Sequence, residues 1–426
     1  RHTVTLVPAP PAGRAVRPRG AYALLVADED PETPEDDAVA ELVSRGAAGV
    51  VLVHGADRGF ASLEKRTVPA LMTDAATGSR LAAALGHRSG RLTFDCAQWT
   101  RPSYTLGRVV QGKVPETVAL RARRRDLVEV RSEIRAQNAD AVGELSYPVL
   151  GPDNSGGGLI HRVKAGTVRT DYLPAGLRIQ ASWVMGADMN AGSVDLWSGD
   201  SAMEWTSTMP AHRAGAKVRQ TWMNAVLAPS TAHSDAPDLI PSLSGDQVDG
   251  LVSSFTDGSG HRTEYSGDGS AAWTLTRNTS RGKVVADGTD PWVSATLPTG
   301  RGRYVLSFRA SRALPLWRTS PSVRSVWSFT ADVAASDEDD PSGEDAATPL
   351  PLLDVRTRLP LNVTNTARAG RPMTFAVTGV LAGADTTRVK TMTVEISADG
   401  GRHWRRATLT RVDADTFRAK VVNPSR

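Results

Sequence analysis

The 426-residue chain holds a single cysteine, Cys96. One thiol excludes an internal disulfide and any cysteine metal cluster. It fits a cytosolic chain, and equally a bacterial exterior in which cysteine is avoided. Long apolar runs are missing too. None approaches the ~18 residues of a spanning helix, so no membrane span is expected. Neither sign of charge dominates, with 50 Lys and Arg against 46 Asp and Glu. The densest basic run, Arg121-Ala122-Arg123-Arg124-Arg125, has no aromatic platform beside it in sequence and alternates like a strand edge. It reads as a solvated edge, and no nucleic-acid partner is expected. The acidic runs from Asp28 to Asp37 and from Asp337 to Asp345 lack the pattern of an EF-hand loop. No two histidines have the i, i+4 spacing of a helical metal site. Arg45-Gly46-Ala47-Ala48-Gly49 precedes a strand instead of opening a helix, which excludes the phosphate loop of a dinucleotide fold. No metal and no cofactor is expected.

What is present falls into two characters. Residues 1–100 alternate helix and strand signals. Tyr22 to Val26, Val50 to Val53, Val68 to Met72 and Leu92 to Phe94 are short apolar strands. Thr33-Pro34-Glu35-Asp36 predicts a helix start, with Thr as N-cap, Pro at the first helical position and acids against the positive helix end. Ala38, Val39, Leu42 and Val43 then recur at helical spacing, and Gly46 supplies the left-handed residue that ends the helix. Asp74 is placed to cap a second helix whose apolar face includes Leu81 and Leu85. This is a small α/β domain.

After Trp99 the period becomes two. Val128, Val130, Ser132, Ile134 and Ala136 share one face, with Glu129, Arg131, Glu133 and Arg135 on the other. Leu177, Ile179, Ala181, Trp183 and Met185 repeat the pattern, as do Val218, Gln220 and Trp222, and Tyr304, Leu306 and Phe308. Asp257-Gly258, Gly267-Asp268 and Asp287-Gly288 read as turns between strands. The expected fold class is therefore mainly β: the small α/β domain followed by antiparallel β-sandwich domains. Residues 101–335 form the sandwich region, as one sandwich or two, and 336–348 an acidic linker. Residues 349–426 form an immunoglobulin- or fibronectin-like sandwich, with strands at Leu361/Val363, Met373/Phe375/Val377, Met392/Val394/Ile396 and Phe417/Ala419/Val421. The chain begins at Arg1-His2 and ends at Asn423-Pro424-Ser425-Arg426, and it reads as a piece of a longer polypeptide.

Two serines sit in contexts that suggest a nucleophile. Ser201 lies in Leu196-Trp197-Ser198-Gly199-Asp200-Ser201-Ala202-Met203, which lacks the second glycine of a nucleophile elbow and is followed by a strand. Ser207 lies in Thr206-Ser207-Thr208-Met209-Pro210-Ala211-His212, which also runs into a strand. Both are read as non-catalytic, and no catalytic residue is assigned. A contact site is assigned instead to the loop after Val53: His54 at the strand end, then Arg58, Phe60 and Lys65 in a segment too polar for core. Binding surfaces of open α/β units lie beyond the carboxyl ends of their strands. Near the other end, Ser397-Ala398-Asp399-Gly400-Gly401-Arg402-His403-Trp404 fits the Ser-x-Asp-x-Gly-x-x-Trp turn known as an Asp-box. It predicts a hairpin with positive φ at the glycines and Trp404 packed back over it, worth about 3–5 kcal/mol as a buried aromatic. One copy argues against a propeller.

Residues Arg19 to Val26, Arg45 to Val53, Val68 to Met72 and Gly78-Ser79-Arg80-Leu81 together resemble the protease-associated domain. Ser103 to Arg108, Gly112-Lys113-Val114-Pro115, Arg125 to Val130, Trp327-Ser328-Phe329, Leu350 to Val355 and Glu395 to Gly401 are similar to the region downstream of the catalytic domain in large secreted subtilisin-like (S8 family) serine proteases of actinobacteria. The resemblance implies a serine endopeptidase as the parent, with its Asp, His and Ser motifs outside this chain. It implies an extracellular bacterial location, a catalytic subtilisin-like domain in the same polypeptide as partner, and protein or peptide substrates. The function so implied is a non-catalytic accessory role, in substrate positioning or enzyme stabilisation. The alternative is an extracellular binding or adhesion protein for peptide or carbohydrate, built from the same domains.

Overall fold

The computed structural model describes residues 2–8, 20–26, 35–54, 70–86, 88–94, 104–106, 121–136, 141–150, 156–157, 160–185, 203–232, 236–265, 269–278, 282–312, 319–333 and 347–425. They belong to two compact units, one within residues 1–98 and one from 99 onward. The fold is mainly β, with many antiparallel sheets. Among the described residues no helix is long and apolar enough to cross a membrane.

The first unit is a five-stranded sheet with a helix on each face. Its elements are β1 (His2–Pro8), β2 (Tyr22–Val26), α1 (Glu35–Ser44), β3 (Gly49–His54), β4 (Ala70–Asp74), α2 (Ala75–Leu85) and β5 (Gly90–Phe94). The order is β4-β3-β2-β1-β5, with β1 to β4 parallel and β5 antiparallel to β1. Strand alternation divides its core in two. Ala23, Val50 and Leu52 meet Val39 and Leu42 of α1. Leu24, Val51 and Val53 meet Leu81, Ala82 and Leu85 of α2. Gly78 lets α2 close on the sheet, since a Cβ there would stand 2.1 Å from Val53 Cγ1. Gly46 ends α1 with φ +92°, as its place in the sequence required. The strand His2–Pro8 had no counterpart among the expected elements, because the Thr residues of Thr3-Val4-Thr5-Leu6 dilute its apolar signal.

The second unit carries the β-rich remainder. One antiparallel sheet runs Ile160–Lys164, Val142–Ser146, Ile179–Met185, Met203–Met209, Arg262–Tyr265. Facing it, Leu127–Ile134 pairs antiparallel with Thr167–Pro174 and parallel with Lys217–Trp222. A four-stranded sheet of Lys283–Gly288, Gly269–Arg277, Gly300–Arg312 and Ser322–Val333 contributes Trp273, Leu306 and Phe308 to the same continuous core as Val130, Trp183, Trp205 and Trp222. The expected inward faces of Leu127–Ile134, Ile179–Met185 and Gly300–Arg312 are the buried ones. The last sheet, Leu353–Arg358, Pro372–Leu381, Thr416–Val422 and Thr408–Arg411, has its own smaller core around Phe375, Val377, Ala419 and Val421.

Four local expectations are corrected. Leu361 and Val363 lie in a turn, not a strand, because Asn362 Oδ1 takes the Thr364 and Thr366 backbone N–H groups at 3.0 Å each and closes the chain on itself. In Met392 to Ile396 only Glu395–Ile396 forms a ladder, although Met392, Val394 and Ile396 do turn toward the core. Asp287-Gly288 ends a strand instead of making a hairpin. Gly288 lies opposite Trp273, where a Cβ would stand 2.6 Å from the indole nitrogen. Arg124 of the basic run does have aromatic company. It donates to the Tyr104 hydroxyl at 3.0 Å and lies 5.0 Å above the ring of Tyr172, which is stacked on Tyr104. Those tyrosines are distant in sequence and close in space.

The acidic residues of the expected linker lie outside the described residues, and just beyond them Thr348–Pro349 pairs with the strand Ser242–Ser244. Leu350 and Leu352 then enter the large core. In the next strand alternation is inverted: Leu353 and Val355 are 41% and 51% exposed, while Asp354 is 3% exposed. Its carboxylate accepts from Ser230 Oγ at 2.7 Å, Thr231 N at 2.6 Å, Ala232 N at 2.9 Å and Trp327 Nε1 at 3.1 Å. Removing it leaves buried donors without an acceptor. Asp354→Ala is therefore expected to cost the second unit about 3–5 kcal/mol. Denaturant unfolding with hydrogen exchange at Thr231 and Ala232 checks this. Wild-type exchange rates at both amides would show that the carboxylate does not hold them.

Candidate functional site

The sequence assigns a contact loop to His54, Arg58, Phe60 and Lys65. His54 closes β3, its backbone opposite Asp74 of β4, and so stands at the carboxyl end of a parallel strand. Arg58, Phe60 and Lys65 lie outside the described residues, as does Ser201. Ser207 is in the middle of Met203–Met209, opposite Ala181, in a strand flanked on its other edge by Arg262–Tyr265. A serine nucleophile of the elbow type needs a sharp strand-to-helix turn, and Ser207 has a straight ladder.

The structure brings together an acid–base pair that sequence reading passed over. Asp257 and His261 flank the turn Asp257-Gly258-Ser259-Gly260-His261. His261 Nδ1 is 2.9 Å from Asp257 Oδ2, and both side chains are buried. The imidazole stacks on Trp222, ring centres 4.0 Å apart. Asp257 Oδ1 also accepts from the backbone of Ser259 at 2.9 Å and of His261 at 3.1 Å, so the carboxylate shapes its own turn. Ser259, the serine of this loop, gives its hydroxyl hydrogen to the Thr221 carbonyl at 2.7 Å. Beside it, Arg135 donates to Asn224 Oδ1 at 2.7 Å, and Gly258 N donates to Asn224 O at 2.7 Å. The pair thus fastens the turn to the strand Lys217–Trp222. The only advance signal was the Asp-Gly dipeptide, because Trp222 and Asn224 are remote in sequence.

A second polar cluster is equally enclosed. Arg169 Nε donates to both oxygens of Asp171 at 2.8 and 2.9 Å, and Ser132 Oγ and the Tyr147 hydroxyl are 2.6 Å apart. Burial, reinforced by the Asp171 charge, pushes the Tyr147 hydroxyl well above the usual phenol range. Burial also lowers His161, with the Arg169 charge acting in the same direction. Both groups are held in their neutral forms by the sandwich around them.

At the surface the Asp-box turn is formed as the sequence implies. Gly400 and Gly401 have φ of +70° and +87°. Ser397 Oγ donates to Asp399 Oδ1 at 2.8 Å and accepts from Gly401 N at 2.8 Å. His403 N donates to Asp399 Oδ1 at 2.9 Å, and His403 Nδ1 is 2.5 Å from Asp399 Oδ2. Trp404 does fold back, its Nε1 donating to Gly401 O at 3.0 Å. Yet the residue is 60% exposed, so the expectation of a buried aromatic is corrected. The hydrogen bond fixes the indole, and the short strands Glu395–Ile396 and Arg405–Arg406 offer too little surface to cover it.

Two measurements follow. Trp404→Ala should leave stability within about 0.5 kcal/mol of wild type, as for other exposed substitutions. A loss of several kcal/mol in calorimetry would mean that the ring is buried. The His403 backbone N–H first, then its ring and Ser397, lower the Asp399 carboxyl to about 2. Its unfolded value is about 3.9. A depressed folded value gives stabilisation that is complete above the unfolded value and is lost as pH falls through the folded one. The turn should therefore persist at pH 4 and loosen only near pH 2, read from the carboxyl and His403 amide resonances. A midpoint near 3.9 would show that these bonds do not form.

No family model matches the chain, and no curated protein matches it.

Proposed function

We propose that this chain is the non-catalytic accessory region of an extracellular bacterial serine protease of the subtilisin-like family. It positions protein or peptide substrates for, or stabilises, a catalytic domain of the same polypeptide. The observation that carries this reading is the use made of the reactive side chains among the described residues. Ser207 is locked in mid-strand, Asp257 and His261 are buried against each other and Trp222, and Ser259 is tied to a carbonyl. The resemblance of segments within residues 19–81 to the protease-associated domain, and of later segments to subtilisin-like proteases, supports a parent enzyme of that kind. The parallel strand ending at His54 is the edge from which Arg58, Phe60 and Lys65 would meet a substrate. A second reading, an extracellular binding or adhesion protein, is favoured by Trp404, an indole of fixed orientation open to solvent.

The test joins the chain to its catalytic domain and compares it with the catalytic domain alone. Turnover of long protein substrates should fall about tenfold without the chain, equivalent to ~1.4 kcal/mol, while a short chromogenic peptide is cleaved equally. Arg58→Ala with Phe60→Ala should reproduce part of that loss. The isolated chain should take no label from a fluorophosphonate probe. Stoichiometric labelling, or equal behaviour on both substrates, refutes the accessory role.

A further inference from the structure

The loop after Arg358 and the last residues of the chain enclose an open groove of about 490 Å³ at one end of the C-terminal sheet. Its walls are fixed. Asn423 N donates to Arg371 O at 3.0 Å, Asn423 Nδ2 to Arg368 O at 2.9 Å, and Gly370 N to Pro424 O at 2.9 Å. On the opposite wall Asn362 Oδ1 is saturated by the backbone and hydroxyl groups of Thr364 and Thr366, and Asn365 Nδ2 anchors that loop to Met223 O at 2.9 Å. A backbone already held in this way loses little freedom when a ligand enters.

The chemistry of the lining is one-sided. Arg368 and Arg371 both line the groove, both are exposed, and neither guanidinium has a hydrogen-bond, ion-pair or ring partner among the described residues. With its oxygen occupied, Asn362 has only its amide N–H groups to offer. Asn423, with its Nδ2 committed to Arg368 O, offers an acceptor, but the two guanidinium groups make the groove cationic, and guanidinium groups bind carboxylates in planar, two-pronged pairs. Pro372 and Met373 add apolar surface between the polar walls. That surface suits the aliphatic part of a peptide side chain better than a sulfated sugar, which has little apolar face to set against it.

We infer that this groove binds an extended acidic peptide, with Arg368 and Arg371 as its carboxylate contacts. The groove is built from residues 360–423 and shares none with the loop after His54, and its binding needs no catalytic domain, so it stands or falls separately from the protease reading.

The experiment uses residues 1–426 and a fluorescein-labelled ten-residue peptide alternating Glu with Leu, followed by anisotropy. Saturable binding is expected, weakening as salt rises because the contacts are exposed. Replacing Glu by Gln in the peptide should abolish it. Arg368→Ala with Arg371→Ala should weaken it by about tenfold or more, as loss of two charge contacts requires. The double Lys variant should retain part of the affinity, and the melting profile should be unchanged in both variants. Absence of binding at millimolar peptide would overturn the inference, as would equal affinity of wild type and the Ala variant. Preference for a heparin-derived oligosaccharide over the peptide would overturn the choice of ligand.

Discussion

The architecture of the larger unit depends on one buried carboxylate. Asp354 gathers donors from Ser230, Thr231, Ala232 and Trp327, and so joins a segment more than a hundred residues earlier to the start of the last sheet. A buried backbone N–H without an acceptor is costly, and so is a buried carboxylate without donors. Each satisfies the other only in one register. Shifting Leu353–Arg358 by one residue would point Asp354 to solvent and strand the donors inside. Arg356, two residues on, donates to Ala232 O at 2.9 Å and holds the same register from the same face. Thus the C-terminal sheet inherits its placement within this unit from a polar contact, and the loop at 362–366 that walls the groove inherits it in turn.

The same device recurs wherever the sandwich encloses polar side chains. Arg169 with Asp171 is an ion pair, and Asp257 with His261 a hydrogen-bonded pair, at positions with almost no exposure. Burying charges costs several kcal/mol per ion before their attraction is counted, so such pairs are weak sources of net stability. What they do supply is directionality. The large core is rich in Trp, Leu and Val, which pack acceptably in several arrangements. A carboxylate that must find three donors accepts one. Among the described residues, Asp171, Asp257 and His261 are in this way committed to holding strands together.

Much of this was legible in the sequence where the cause is local. Alternation at Val128 to Ala136 and Ile179 to Met185 fixes both strand and inward face, because a two-residue period has one structural meaning. The glycine at 46 ends α1 for the same reason, while Thr33 and Pro34, expected to open it, lie outside the described residues. Legibility stops where partners are remote. At Leu353-Asp354-Val355 the apolar side chains face out and Asp354 faces in, because donors at 230–232 and 327 claim the carboxylate. Arg124 reads as solvated, and it meets Tyr104 and Tyr172 only after folding. Leu361 and Val363 read as strand positions, and Asn362 captures the backbone first. In each case a side-chain hydrogen bond outweighs the hydrophobic pattern, as a buried or backbone-directed polar group does when it has several partners at once.

The Asp-box shows the boundary between these regimes within eight residues. Every hydrogen bond that shapes it runs between residues 397 and 404, so composition alone specifies the turn. Burial of Trp404 is a different kind of property, because it needs a surface supplied by other elements. The ladder beneath is only two residues long on each strand, and no wall rises beside it among the described residues. The indole is therefore fixed by its N–H and left bare on its flank. In water such an arrangement gives up hydrophobic stabilisation that even partial cover would provide. A rigid aromatic held this way is better suited to contact with another molecule than to packing, since it meets a ligand without first losing rotamer freedom.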